Sequence, residues 1–233
     1  CIGCNQACLD HVFQQKTASC LVNPRACHET ILNYTPTSSP KKIAVVGAGP
    51  AGLSAATVAA GRGHSVTLFE AQNDIGGQFN IAKLIPGKEE FYETLRYYKK
   101  QIELTGVDLK LNTKATVETL ENFDEIIIST GIKPREITLK GIESDKVLNY
   151  EDVLKHKKPV GKKVVIIGAG GIGFDVAEFL AHEGESPSLN TQAFLKEWGI
   201  DPTNEARGGI EGIASQPHPS PREITLLQRS ETK

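Results

Sequence analysis

The 233-residue chain has no methionine, a single tryptophan and no cysteine beyond residue 27. Without methionine, no initiator precedes Cys1, and the chain is expected to be a segment of something larger. Apolar runs such as Ile126–Ile128 and Val164–Ile167 are strand-length, far short of a membrane span. No positively charged start leads into an apolar stretch, so nothing argues for secretion. Neither charge sign dominates: 26 Lys+Arg against 28 Asp+Glu give a formal net charge of -2. That excludes an electrostatic case for nucleic acid or for an anionic membrane. The five cysteines are odd in number and crowded at one end, which does not suit a disulfide framework. A reducing, cytoplasmic setting is the simpler one. The remaining composition, 39% hydrophobic and 23% charged, is that of a globular protein of one large or two ordinary domains.

What is present falls into four stretches. Residues 1–28 carry every cysteine, and 29–41, through "NYTPTSSPKK", read as a Pro/Ser/Thr-rich linker. Residues 42–160 open on a βαβ pattern: "KIAVVGAG" as a buried strand, "PAGLSAATVAAGRG" as a helix of small residues, "HSVTLFE" as the second strand. "KEEFYETLRYYKKQIELTG" predicts a helix stopped at Gly106, with "VDLKLNT" and "DEIIIST" as further strands. Residues 161–233 repeat the plan with "KKVVIIGAG", "GIGFDVAEFLAHEG" and "REITLLQR". The second copy carries an insertion, roughly residues 185–221, in which "SLNTQAFLKEWGI" predicts a helix and "RGGIEGIASQPHPSP" a loop. The chain stops just after this strand, and so small a βαβ unit buries too little surface to stand alone. The expectation is an α/β fold with two Rossmann-like dinucleotide-binding units behind a Cys-rich segment.

Each unit has the glycine pattern where a nucleotide grip requires it, directly after a strand and opening a helix. In "GAGPAG" (Gly47, Gly49, Pro50, Ala51, Gly52), Gly47 permits the tight turn and Gly49 lets backbone approach a pyrophosphate. Gly52 allows close helix–strand packing, and the helix N-terminus offers N–H groups to phosphate. Glu70, 23 residues after Gly47, ends the next strand, where a carboxylate accepts hydrogen bonds from ribose hydroxyls. "GAGGIG" (Gly168, Gly170, Gly171, Ile172, Gly173) meets the same conditions, yet its strand ends in Gln228 and Arg229, with Lys233 beyond. An arginine there accommodates the 2′-phosphate of NADP, whereas an acid repels it. The alternative is a surface arginine at a strand end.

The spacing C-x2-C-x3-C-x11-C of Cys1, Cys4, Cys8 and Cys20 suits a [4Fe–4S] cluster or zinc, with thiols holding no metal as the third possibility. Cys27 reads as a structural or spare thiol. The six histidines are scattered, and no catalytic acid is assignable.

Two dinucleotide sites joined by "IIISTGIKPR" resemble the two-dinucleotide-domain flavoproteins. That resemblance implies FAD at the first site, with Gly76, Gly77 and Gln78 near its diphosphate and Thr130 and Gly131 close to the cofactor. No cysteine follows "GGQFN" or surrounds Gly168, so disulfide-reductase chemistry is not expected. More specifically, "CIGCNQAC", "SCLVNPRACHE", "GGQFNIAKLIPGKEEFYETLRYYKKQIE" and "GAGGIGFDVAEFL", in this order, resemble the iron–sulfur flavoenzyme family. That family includes bacterial NADPH-dependent 2,4-dienoyl-CoA reductase and trimethylamine dehydrogenase. The resemblance implies a longer enzyme: an N-terminal barrel with FMN and the acyl-CoA site, then cluster, FAD and NADP modules. It further implies cluster ligation by Cys1, Cys4, Cys8 and Cys20, 2′-phosphate contacts at Arg229 and Lys233, and 2,4-dienoyl-CoA as substrate. The barrel of the same parent chain would be the fragment's partner, and the fragment alone would be inactive. Alternatives are a sibling enoate reductase or amine dehydrogenase, some of which hold ADP at the first site, and a non-catalytic adenine-nucleotide and metal module.

Overall fold

A computed structural model of the chain describes residues 1–229. The chain forms two compact units, one of Cys1–Asn80 with Glu90–Lys133, the other of Ile81–Glu89 with Pro134–Lys233.

In the first unit, after the short helix α1 (Leu9–Phe13), four parallel strands follow the order β3-β2-β1-β4. They are β1 (Lys42–Val46), β2 (Ser65–Phe69), β3 (Asp108–Lys110) and β4 (Glu125–Ile128). The central strand β1 is apolar on both faces, as a parallel strand covered on both sides must be. Helix α2 (Pro50–Gly61) starts with proline at its first position, where the missing N–H costs nothing. Its small side chains let it lie close to the sheet, burying Leu53, Ala56 and Thr57. The Thr57 hydroxyl is satisfied inside the helix by the Leu53 carbonyl at 2.8 Å. A short helix α3 (Phe79–Ala82) precedes α4 (Glu90–Thr105), whose Leu95 and Ile102 sit seven apart on one buried stripe. Gly106, at φ +72°, ends α4 in the left-handed conformation that stops helices. Helix α5 (Val117–Leu120) is a single turn closed by a Thr116/Thr119 capping box. Val45, Leu53, Leu68 and Ile75 are fully buried, each contributing ~1.5–3 kcal/mol of apolar burial.

The second unit pairs β5 (Lys163–Ile167) with β6 (Glu223–Leu227) in parallel, with α6 (Tyr150–Leu154) and α7 (Gly171–Ala181) beside them. Val153 and Leu154 of α6 and Val176 and Leu180 of α7 form its core together with Ile81 and Ile85. The segment 81–89 is also tied in by polar contacts: Lys88 pairs with Asp175, and the Ser188 hydroxyl donates to Glu89 at 2.8 Å. On the opposite face of the two-stranded sheet, Val165, Ile167 and Leu227 are exposed.

The insertion folds on itself. Its predicted helix is α8 (Thr191–Trp198), capped by the Asn190 side chain and ended by Gly199 at φ +67°. The stretch expected to be only loop contains one 3₁₀ turn, Arg207–Gly209, set by the Gly209 N–H donating to the Ala206 carbonyl at 2.8 Å. Asp201 staples the rest: its carboxylate accepts from the N–H groups of Thr203, Glu205 and Ala206 and from the Thr203 hydroxyl, at 2.7–2.9 Å. These donors, the Ala206 N–H first, hold its pKa down to about 2. Among the described residues no helix is long and apolar enough to cross a membrane.

Candidate functional site

The first glycine turn leaves the end of β1. The Gly47 N–H donates to Phe69 O of β2 at 2.8 Å, and Gly47 turns at φ +101°. A Cβ built on Gly47 would lie 2.5 Å from Ser129 O, so the turn and the end of β4 touch through backbone. A Cβ on Gly52 would overlap Gly47 O and come within 2.6 Å of Ser129 Oγ. Both glycines are therefore demanded by contact. Around Gly49, in contrast, a Cβ would meet nothing within 4 Å, which leaves open space directly before the N-terminus of α2. Pro50 and Ala51 begin that helix, whose first N–H groups have no partner inside it.

Three further pieces close around this turn. Glu70, at the end of β2, accepts from the Ala48 N–H through Oε2 and from the Gln72 N–H through Oε1, each at 2.8 Å. A carboxylate has about four lone-pair sites, so each oxygen retains capacity for a ribose hydroxyl. The Gly76 N–H donates to Ala48 O at 2.8 Å, and Gly77 (φ +51°) packs so closely that its Cβ would lie 3.1 Å from Gly49 Cα. Gln78 is half-buried and engaged in contacts of its own. Ser129 donates its hydroxyl toward Val46 O and Gly47 O, 2.9 Å from each. Thr130 Cα is 3.2 Å from a Cβ on Gly47, whereas Gly131 (φ +74°) is exposed with open space around it. The structure thus brings Gly47, Gly49, Gly52, Glu70, Gly77 and Thr130 together. Sequence reasoning missed Ser129. Its only signal was its place immediately before "TG" at the end of a strand.

The second turn copies the first. The Gly168 N–H donates to Leu227 O at 2.8 Å and Gly168 turns at φ +117°. Gly170 caps α7 in extended conformation, as Gly49 caps α2. A Cβ on Gly173 would overlap Gly168 O. Gly171 and Ile172, at the start of α7, are exposed. The copied register aligns Ile167 with Leu227 as Val46 aligns with Phe69, so Gln228 stands where Glu70 stands in the first unit. Arg229 follows it, exposed. Lys233 lies outside the described residues.

The cysteine segment lies ahead of both glycine turns. All five thiols are free, with Cys4 and Cys20 half-buried and Cys1, Cys8 and Cys27 exposed. The Ser19 N–H donates to Ala7 O at 2.7 Å, tying the chain just before Cys20 to the turn just before Cys8. Yet among the described residues no three His, Cys, Asp or Glu side chains come together as a metal site. Four free thiols suit iron–sulfur chemistry, but this arrangement does not form the closed donor set a cluster needs.

A parallel α/β fold carrying two glycine turns at strand–helix junctions defines a dinucleotide-binding protein of the flavoprotein type. The chain belongs to the pyridine nucleotide-disulphide oxidoreductase family, whose model matches residues 41–229. All five cysteines precede the matched region. The chain is 42% identical over 190 residues to a metal reductase of Desulforamulus reducens, covering 79% of this chain and 28% of that protein. It is 36% identical over 191 residues to a cinnamate reductase of Clostridium sporogenes, covering 81% and 28%. Among solved structures, a 2-naphthoyl-CoA reductase in complex with 2-naphthoyl-CoA matches with a TM-score of 0.74 at 31% identity, covering 98% of this chain and 39% of that one. The chain spans under a third of the length of these curated relatives. The relatives are oxidoreductases, and this chain is an oxidoreductase-type dinucleotide-binding module.

Proposed function

We propose that the chain is the electron-input portion of a larger NADPH-dependent flavin reductase that saturates a carbon–carbon double bond conjugated to a carbonyl. The carrying observation is the duplicated turn with two different endings: a carboxylate, Glu70, at the first site, and Gln228 with Arg229 at the second. When bound, nicotinamide and flavin supply hydride and electron-transfer chemistry; the chain supplies two cradles. Gly47, Gly49 and Gly52 let the backbone and the α2 N-terminus meet the FAD pyrophosphate, and Glu70 receives the ribose. Gly168, Gly170 and Gly173 do the same for the nicotinamide dinucleotide, and Arg229, with Lys233, recognises the 2′-phosphate that selects NADP(H).

The finer reading is a 2,4-dienoyl-CoA reductase, with FMN in a barrel elsewhere in the parent protein. The 2-naphthoyl-CoA reductase supports a thioester substrate, and the cinnamate reductase supports the sibling enoate reading, in which the substrate is a free unsaturated acid. In either reading Cys1, Cys4, Cys8 and Cys20 are the candidate ligands of a [4Fe–4S] cluster. The test is the full-length protein, purified without oxygen and assayed with NADPH or NADH against a 2,4-dienoyl-CoA and cinnamate. NADPH oxidation coupled to loss of the dienoyl-CoA absorbance supports the proposal; a protein that carries no flavin and oxidises neither nucleotide overturns it.

A further inference from the structure

We propose that Ser129 is a positioning residue for the dinucleotide held at the first turn. The inference rests on the reading of that turn as a dinucleotide cradle. A phosphate-binding turn works when its N–H groups face the anion and its carbonyl oxygens do not, since a carbonyl oxygen repels phosphate. The carbonyl at risk is that of Gly47, the residue that makes the turn at φ +101°. Its oxygen points inward: a Cβ on Gly52 would overlap it, and Ser129 Oγ lies 2.9 Å from it. The same hydroxyl is 2.9 Å from Val46 O, which already accepts the Ser129 N–H at 2.9 Å. Gly47 O is therefore the acceptor that depends most on the hydroxyl.

Ser129 also braces the turn from outside. Its own carbonyl oxygen and carbon occupy the space beside Gly47, 2.5 Å and 2.9 Å from where a Cβ would stand, so β4 backbone walls the turn. Its hydroxyl fills the gap left by the absent side chain of Gly52. One half-buried side chain thus fixes the end of β1, the turn and the first turn of α2 relative to each other. Replacing it with alanine leaves the fold's apolar contacts alone. It removes the hydroxyl donor from the Gly47 carbonyl and leaves that peptide held on its other side alone, by the Ala48 N–H donating to Glu70, so the turn is less firmly set for the ligand.

The experiment uses the full-length protein with FAD as the probe, comparing wild type, Ser129→Ala and Ser129→Thr. Serine to alanine is expected to weaken FAD binding about tenfold, the effect of one lost hydrogen bond of ordinary strength, and to speed its release. The KM for NADPH is expected to stay within about twofold, and threonine, which keeps the hydroxyl, to restore most of the FAD affinity. Two results overturn the inference: wild-type FAD affinity in Ser129→Ala, or an equal loss in Ser129→Ala and Ser129→Thr with a matching fall in melting temperature of the flavin-free proteins, which would mark a purely structural role. A wild-type protein that binds no FAD overturns the cradle reading itself, a distinguishable outcome.

Discussion

A methyl group placed on Gly52 tests the geometry of the first turn directly. In Gly52→Ala the new carbon would overlap Gly47 O and stand 2.6 Å from Ser129 Oγ and 3.1 Å from Gly47 C. Ordinary contacts to carbon need about 3.5 Å, so α2 and the turn must separate by on the order of 1 Å. Neither neighbour is a flexible side-chain end: one is backbone, the other a hydroxyl held by two carbonyls. Forced separations of this kind cost ~1–3 kcal/mol, against which the helix-forming gain of alanine over glycine returns ~1. The net loss lowers the melting temperature by a few degrees, at roughly 2–4 °C per kcal/mol. The ligand effect is larger, because the shift opens the turn at the point meant to touch pyrophosphate, and a 1 Å misplacement can cost about a hundredfold. Gly61→Ala is the control at the other end of the same helix. There a Cβ meets only Thr105 Cγ2 at 3.9 Å, so it is expected to be neutral or to stabilise by a few tenths of a kcal/mol. Calorimetry and FAD titration of both variants check this. Gly52→Ala with wild-type melting and wild-type affinity would refute the close-approach argument.

Further expectations follow from the same geometry. Glu70→Gln turns an amide NH2 toward one of two backbone donors, Ala48 N or Gln72 N, and is expected to reduce first-site affinity about tenfold or more in the same titration. Arg229→Glu sets a carboxylate against a 2′-phosphate and should raise the KM for NADPH at least tenfold while sparing NADH; equal effects on both would end the NADP assignment. Paired Cys4→Ala and Cys8→Ala in the anaerobic full-length protein should abolish bound iron and acid-labile sulfide if these thiols are cluster ligands, and iron unchanged in both would remove them from that role. Asp201, whose folded pKa is depressed to about 2, stabilises the insertion above the ordinary carboxylate pKa of about 3.9 and loses that contribution as pH falls toward 2. Amide exchange at Thr203, Glu205 and Ala206, measured from pH 5 to pH 2.5, should therefore accelerate beyond the intrinsic pH trend in wild type but not in Asp201→Ala, which should already exchange fast at pH 5.

Local chemistry is legible in this sequence and distant partnership is not. The strands around both glycine turns announce themselves as β-branched runs ending in glycine, and α4 as an apolar stripe bearing Leu95 and Ile102 with a glycine stop. The ends of elements follow equally local rules, such as Pro50 opening α2 and Gly199 closing α8. By contrast, Ile81 and Ile85 carry no mark of their partners. Their segment, Ile81–Glu89, is flanked on both sides by chain of the first unit, yet they pack with Val176 and Leu180 in the second, because an apolar side chain specifies burial without specifying against what. Ser129 is hidden for a related reason: its role depends on β4 lying beside β1, a pairing between residues some eighty positions apart. The thiols are a third case. Spacing that suits four ligands states what a metal could gather, and metal binding is itself coupled to the folding of such a segment.

The two turns separate what the fold supplies from what the sequence adds to it. Both have a left-handed glycine bonded to the neighbouring strand at 2.8 Å, an extended glycine cap, and a helix glycine that cannot carry a side chain. Backbone alone therefore offers each unit the same kind of turn and no means of telling one dinucleotide from another. Discrimination has to come from the residues that follow the second strand of each copy. In the first copy that residue is Glu70, which accepts from Ala48 N–H; a carboxylate at such a strand end suits an unphosphorylated ribose. In the second copy the equivalent place holds an uncharged glutamine and then an exposed arginine. A swap of these endings, Glu70→Gln with Ala71→Arg in one protein and Gln228→Glu with Arg229→Ala in another, should therefore exchange 2′-phosphate preference without moving either turn. Binding of 2′-phospho-AMP against AMP to each variant reads this out, and preferences that stay with the units despite the swap would place discrimination elsewhere in the fold.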